Sequence, residues 1–272
     1  MKYVNLANLQ TVLRPGIVAV GLLALAACER SVEVSREAPS DDATNHEVGA
    51  PPHWGYAGDG GPDNWGGLSE DYASCAIGIA QSPIDLTQPG LASDIALSVD
   101  YASGPLEIFN NGHTVQINFA PGSTMNNGEK DYALLQLHFH TPSEHTVDQV
   151  RFPLEAHFVH RADDGGLGVI GVLFEEGAHN DALNPVLATL PQDVSEPRKI
   201  AFNPSDLLPE NLSVYRYSGS LTTPPCSEGV AWHVAANVQP VSRAQLSALR
   251  AVLGDNARPV QPLNHRALSA PN

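Results

Sequence analysis

Residues 134–140 read LLQLHFH and residues 155–160 read EAHFVH, so four of the chain's 11 histidines sit in two short stretches. Both stretches otherwise have the apolar, β-branched and aromatic character of core strands. Side chains two residues apart on a strand share a face, so His138 and His140 point the same way, about 6.5–7 Å apart at the backbone. Two imidazoles so placed can grip one ion. In the second stretch His157 and His160 have opposite parity. Leu154, Ala156 and Phe158 share the face of His160 and read as core, which leaves His157 with Glu155 and Val159. Gln136 stands two residues before His138, as Glu155 stands two before His157. An acceptor oxygen there takes the spare imidazole N–H and fixes which nitrogen keeps its lone pair. The pattern selects His138, His140 and His157 as ligands of a Zn2+ ion whose fourth tetrahedral vertex stays open, as in catalytic zinc sites. His145 and His160 fall outside it and read as structural.

The elements that must position these residues are strands. With 23 Gly and 22 Pro, long helices are disfavoured, while short alternating or β-branched runs recur at 95–99, 106–110, 115–119, 133–140, 154–160, 168–174 and 230–235. In 133–140 the odd positions Ala133, Leu135, Leu137 and Phe139 are all apolar and are expected to face a core. Turn signals separate the runs at 110–112, 126–128 and 163–166. Helical patterns are confined to 185–190 and 242–253, the latter opened by Ser242 as N-cap and closed by Gly254. The fold class expected is mainly β, with one large sheet and short helices on its surface.

Composition narrows the partners and the compartment. Residues 1–27 carry Lys2 and Arg14, no acid, and an apolar run at 17–27 too short to span a bilayer, the pattern of a secretory signal. The run ends Leu25-Ala26-Ala27-Cys28, which resembles the lipobox of bacterial lipoproteins and makes Cys28 the candidate lipidation site. Removing residues 1–27 leaves 12 basic against 30 acidic residues, a net charge of −18. Nucleic acid and anionic membrane surfaces are therefore excluded as partners, and any membrane contact is through the lipid anchor. Residues 28–52 are polar, acidic and proline-containing and read as a tether. Residues 53–270 form one domain, long enough for a sizeable core. Its two cysteines, Cys75 and Cys226, can pair in one way, and in an exported chain they are expected to form a disulfide. The expected location is the periplasm or cell envelope.

His138-Phe139-His140 followed by Glu144 also matches the H-x-H-x3-E core of cupins, in which the Glu is itself a ligand. Thr141-Pro142 interrupts the strand between them, and the second cupin motif is missing.

The remaining motifs carry a closer resemblance. His53-Trp54-Gly55-Tyr56, Gln81-Ser82-Pro83-Ile84-Asp85, Asn110-Asn111-Gly112-His113, the two histidine stretches, Ser143 through Asp148, and Gly219-Ser220-Leu221-Thr222-Thr223-Pro224-Pro225 occur in one order. In that order the chain resembles an α-class carbonic anhydrase over residues 53–266. The resemblance implies a large, central, mostly antiparallel, twisted sheet of about ten strands, with zinc at the base of a conical cleft. It implies reversible hydration of CO2 to bicarbonate and a proton, by attack of zinc-held hydroxide, and inhibition by anions and sulfonamide-type compounds. By the same resemblance Thr222 and Glu144 orient the nucleophile, and Thr223 lines the substrate side. Val159, Val169, Leu221, Val230 and Trp232 wall the CO2 pocket. His113 is the proton shuttle, with Tyr56, Asn111 and Gln116 ordering the water between. Gln116 departs from the Asn of vertebrate members. Tyr217, Asn256 and Arg258 match supporting positions, and Cys75 and Cys226 fall where secreted members form a disulfide. Two other readings stand beside this one: a non-catalytic carbonic-anhydrase-like binding protein, and the cupin-like metalloenzyme. The assembly is left open between monomer and homodimer.

Overall fold

The computed structural model describes residues 53–87, 91–92 and 97–271. Expectations for the signal, Cys28, the tether and residues 95–96 fall outside the described residues. Sixteen strands are described: β1 (Asp85–Leu86), β2 (Leu91–Ala92), β3 (Ser98–Asp100), β4 (Gly104–Asn110), β5 (Val115–Asn118), β6 (Thr124–Asn126), β7 (Asp131–His140), β8 (Thr146–Val147), β9 (Val150–Arg151), β10 (Leu154–Arg161), β11 (Leu167–Glu176), β12 (Arg198–Phe202), β13 (Val214–Ser220), β14 (Glu228–Ala235), β15 (Gln239–Val241) and β16 (Ser269–Ala270). Thirteen of them form one sheet, ten running in the order β12-β4-β5-β7-β10-β11-β14-β13-β16-β2, with β15 on β11, β6 on β7 and β3 on β6. Strands β1, β8 and β9 form a small separate sheet.

The expected large, mostly antiparallel sheet is present, with ten strands along its main path and three parallel pairings that make it mixed. β11 runs parallel to β14 and to β15, and β16 runs parallel to β2. Parallel neighbours require a long crossover. Here the chain leaves β11, passes through helix and β12–β13, and returns as β14, a route that side-chain alternation cannot encode.

Both faces of the sheet are buried, which is why β10 is buried from Leu154 through His160 and does not alternate. One face packs Ile117, Leu137, Phe139, Phe158 and Phe174. The other packs Ile84, Val159, Val169, Tyr217 and Trp232. Fully burying a side chain the size of Phe139 contributes about 2–3 kcal/mol.

The face assignment for 133–140 holds only in its second half. Val159 pairs with Gln136 while His160 pairs with Leu134, so one step along β10 spans two along β7 and Leu135 is the extra residue. This bulge flips the parity. Tyr132 and Leu134 therefore join Leu137 and Phe139 in the core, and Ala133 is exposed. From Gln136 onward the alternation is undisturbed, and the metal-site geometry depends on that half.

Helices are short, as the composition requires. They include α1 (Trp65–Leu68), α2 (Ser74–Ile77), α3 (Asn184–Ala188) and α4 (Arg243–Leu253). α4 opens on a capping box between Ser242 and Gln245 and ends at Gly254, whose φ of 64° is open to glycine without strain. Cys75 and Cys226 are disulfide-bonded. Among the described residues no helix is long and apolar enough to cross a membrane.

Candidate metal centre

β7 and β10 are antiparallel neighbours, with His138 opposite His157 and His140 opposite Glu155. The three imidazoles converge on one point, with ring centroids 4.6–5.1 Å apart. One nitrogen of each ring meets an oxygen that can only accept. His138 Nδ1 lies 2.8 Å from Gln136 Oε1, His140 Nδ1 2.7 Å from the Asn256 carbonyl, and His157 Nε2 2.8 Å from Glu155 Oε1. Those nitrogens must carry the protons. The lone pairs therefore remain on His138 Nε2, His140 Nε2 and His157 Nδ1, and the three residues can offer donor atoms within 4.8 Å of one another. His140 Nε2 is buried and has no hydrogen-bond partner. A buried, unsatisfied acceptor is costly unless a ligand completes it, and three neutral nitrogen donors suit zinc.

The electrostatics agree with neutral ligands. Burial, and then the neighbouring His140 and His157, hold His138 well below the usual imidazole range. Burial brings His140 down to about 4, against an opposing backbone hydrogen bond at Asn256. His157 is also lowered by burial, opposed by Glu155. A ligand that must be deprotonated to bind is thus ready at neutral pH.

Glu155 is a hub. Oε1 meets His157 and His145 Nδ1 (2.7 Å), while Oε2 accepts from the backbone N–H groups of Glu144 (2.8 Å) and His145 (2.9 Å). Burial pushes its pKa up, but His145 and His157 outweigh this and hold it well below the carboxylate range. His145, read from sequence as merely structural, therefore shares the oxygen that orients His157. Its other nitrogen lies 2.7 Å from the Tyr217 hydroxyl, which donates to Ser82 Oγ at 2.9 Å. His145, Glu155 and His157 also lie close enough together to suggest an ion, but His145 Nδ1 and His157 Nε2 are both hydrogen-bonded to Glu155 Oε1. His160 is structural, bonded to Tyr101 at 2.7 Å on the opposite face.

Glu144 sits beneath the three rings, with Oε2 3.5 Å from His140 Nε2 and 3.8 Å from His157 Nδ1. Its Oε1 accepts the Arg258 backbone N–H at 2.8 Å. Burial raises its pKa to about 7, opposed by His157, the Thr222 side chain and the Arg258 N–H. The Arg258 guanidinium is itself buried, donating to Gln81 Oε1, the Ser82 carbonyl and the Cys75 carbonyl at 2.8–3.0 Å. It thereby ties the disulfide and the Gln81 segment to the floor of the site. The sequence offered no local signal for this link, nor for the use of the Asn256 carbonyl instead of its side chain.

A cleft of about 110 Å³ leads to the rings, lined by Trp54, Tyr56, Asn111, His113, Thr114, Gln116, Gln136, His138, His140 and Thr223. All four expected proton-path residues border it. His113 is half-buried and stacks on Trp54, centroids 3.7 Å apart and planes within 4°. Burial, and then His53, lower its pKa. Asn111 holds the turn by accepting the N–H groups of His113 and Thr114 and donates to Gln116 at 3.2 Å. Trp54 is a cleft residue the sequence reading did not assign. On the apolar side Val159, Val169, Val230 and Trp232 are buried together with Leu221 packed against them, and the Trp232 ring lies 4.9 Å from His157. A larger cavity of about 870 Å³, bordered by Asn180, Asp181, Phe202 and Asp206, shares none of these residues.

Known proteins are similar to this chain in sequence and architecture. The family model described as eukaryotic-type carbonic anhydrase matches residues 60–272. A carbonic anhydrase of Pectobacterium carotovorum is 44% identical over 223 residues, covering 79% of this chain and 90% of that protein. The α-carbonic anhydrase of Thermovibrio ammonificans, solved with the inhibitor sulfanilamide, superposes with a TM-score of 0.79 at 45% identity, over 81% of this chain and all of that one. Dioscorin, solved with ascorbate, superposes with a TM-score of 0.76 at 31% identity, over 81% of this chain and 98% of that one.

Proposed function

The chain belongs to the eukaryotic-type (α) carbonic anhydrase family and catalyses the reversible hydration of CO2, and we propose that His138, His140 and His157 hold the zinc ion this reaction uses. The observation that carries the assignment is the proton bookkeeping of the three rings. Each has one nitrogen committed to a pure acceptor, and the nitrogens left over converge, with His140 Nε2 buried and unpartnered. A zinc ion held by three histidines would supply a hydroxide nucleophile near neutral pH, as in carbonic anhydrases generally.

The chain's own residues do the rest. Glu144 accepts the Thr222 proton, so the Thr222 oxygen is left to accept a hydrogen bond and aim the attacking oxygen at carbon. CO2 has no net dipole and is held by the apolar wall of Val159, Val169, Leu221, Val230 and Trp232, with Thr223 at its polar edge. Gln136, Glu155 and the Asn256 carbonyl keep the ligating rings in the right tautomer. His113 takes the proton released in each hydration and passes it to buffer, across water ordered by Tyr56, Asn111 and Gln116. Anions and sulfonamides, the class represented by sulfanilamide in the Thermovibrio ammonificans structure, would bind at the zinc that His138, His140 and His157 would hold.

The disulfide suggests an extracellular or periplasmic protein. We read residues 1–27 as the export signal, Cys28 as the lipid attachment point and residues 28–52 as the tether.

The test is metal content measured alongside CO2 hydration in a stopped-flow. One zinc per chain and hydration abolished by His157→Ala are expected. Hydration that survives complete loss of zinc, or another metal held with Glu144 as a ligand, overturns the assignment.

A further inference from the structure

We propose that Gly171 is a positioning residue for the metal centre: the missing side chain at this point of β11 is what lets Glu155 hold the His157 ring in its zinc-binding tautomer. The inference rests on the metal-site reading above. Gly171 is paired with His157 on β10 and with Val234 on β14, so its backbone is fixed from both sides. A Cβ built on it would lie 3.0 Å from Glu155 Oε1 and 3.3 and 3.5 Å from the two Val234 methyls. The contacts at 3.0 and 3.3 Å are tighter than ordinary packing, so the carboxylate or the nearer methyl must give by a few tenths of an ångström. The Val234 side chain is fully buried in the core and its own strand is paired on both sides, so it has little room.

The carboxylate is also constrained, but it is where the displacement does chemical damage. Oε2 is anchored by two backbone N–H groups, and Oε1 holds His145 and His157 at 2.7 and 2.8 Å. A methyl pressing on Oε1 lengthens or misaligns the His157 bond. The Nε2 proton then loses its fixed acceptor, and the lone pair on Nδ1 is no longer guaranteed. Glycine at 171 is thus required by the chemistry of residue 155, not by its backbone conformation, since an extended strand accepts any residue.

A second glycine on the same strand supplies the control. A Cβ on Gly168 would meet Met125 Cε at 2.8 Å and the Tyr132 ring at 3.1 Å, remote from Glu155. Gly168→Ala therefore perturbs packing without touching the carboxylate.

The experiment measures zinc loss from holoenzyme to a chelator, with thermal unfolding recorded for each variant. Gly171→Ala should release zinc about tenfold faster or more, the low end of effects seen when an orienting partner is disturbed, while Gly168→Ala lowers the unfolding temperature and leaves zinc release unchanged. In a Glu155→Asp background the carboxylate is drawn back and Gly171→Ala should add nothing further. Wild-type release from Gly171→Ala, equal acceleration by Gly168→Ala, or an undiminished effect in the Glu155→Asp background overturns the inference alone. A wild-type chain that takes up no zinc overturns the metal-site reading and this inference with it.

Discussion

Replacing Glu155 by Gln changes one atom and removes one charge, yet the hydrogen-bond pattern leaves the amide no satisfactory orientation. The carboxylate accepts four bonds, two from imidazole nitrogens at Oε1 and two from backbone N–H groups at Oε2. If the amide oxygen faces the imidazoles, its NH2 faces the Glu144 and His145 N–H groups. Two buried donors then lose their acceptor, at about 1–3 kcal/mol each, or about 2–6 kcal/mol of a total stability that is typically 5–15 kcal/mol. If the amide is turned over, its NH2 faces the imidazoles and His157 Nε2 must accept. The ring proton moves to Nδ1 and one of three metal lone pairs disappears. Both orientations harm the protein, but through different observables. Zinc affinity by chelator competition and stability by urea unfolding, measured on the same preparation, separate them. Glu155→Gln should weaken zinc binding by about 10- to 100-fold or lose at least about 2 kcal/mol of stability. A variant within about 0.5 kcal/mol of wild type that also keeps its zinc affinity refutes the tautomer argument on which the ligand assignment stands.

His113→Ala should slow hydration most in weak buffer and recover with added imidazole; an unchanged rate in weak buffer removes its shuttle role. Because burial and His53 lower the His113 pKa, its proton-accepting neutral form persists below pH 6.5. The shuttle-limited rate should therefore rise with pH through an inflection below 6.5, and His53→Ala should move that inflection upward, read from pH profiles of kcat. Cys75→Ser with Cys226→Ser opens a link across 151 residues, worth about 5 kcal/mol in the chain-entropy treatment, and frees the segment four residues beyond Thr222. Urea unfolding should show the loss, with kcat falling more than KM changes. Cys28→Ser should release the protein from membranes, and a wild-type mature N-terminus beyond Cys28 refutes the anchor.

Much of the site was legible because its signals are local. The i, i+2 spacing of His138 and His140, and of Glu155 and His157, fixes shared faces by strand geometry alone, and Gln136 and Glu155 mark an acceptor beside two of the three rings. The Ser242 cap and Gly254 stop of α4 are local in the same sense. Strand alternation put Val159 on the face of His157, but the rest of the substrate wall and the proton path were legible only by resemblance, since Val169 or His113 alone is indistinguishable from an ordinary core valine or turn histidine.

Sequence alone therefore determined which atoms could do the chemistry: three imidazoles, their two side-chain acceptors, and a β scaffold to carry them. Tertiary structure decided what completes them. The bulge at Leu135, the parallel seating of β14 beside β11, the Asn256 carbonyl on His140, the His145 share of Glu155 and the close approach of Gly171 all arise between segments distant in the chain. Side-chain alternation reports a residue's face but not its neighbour across the sheet. That neighbour is chosen by strand pairing over the whole domain, a property no short stretch of residues contains.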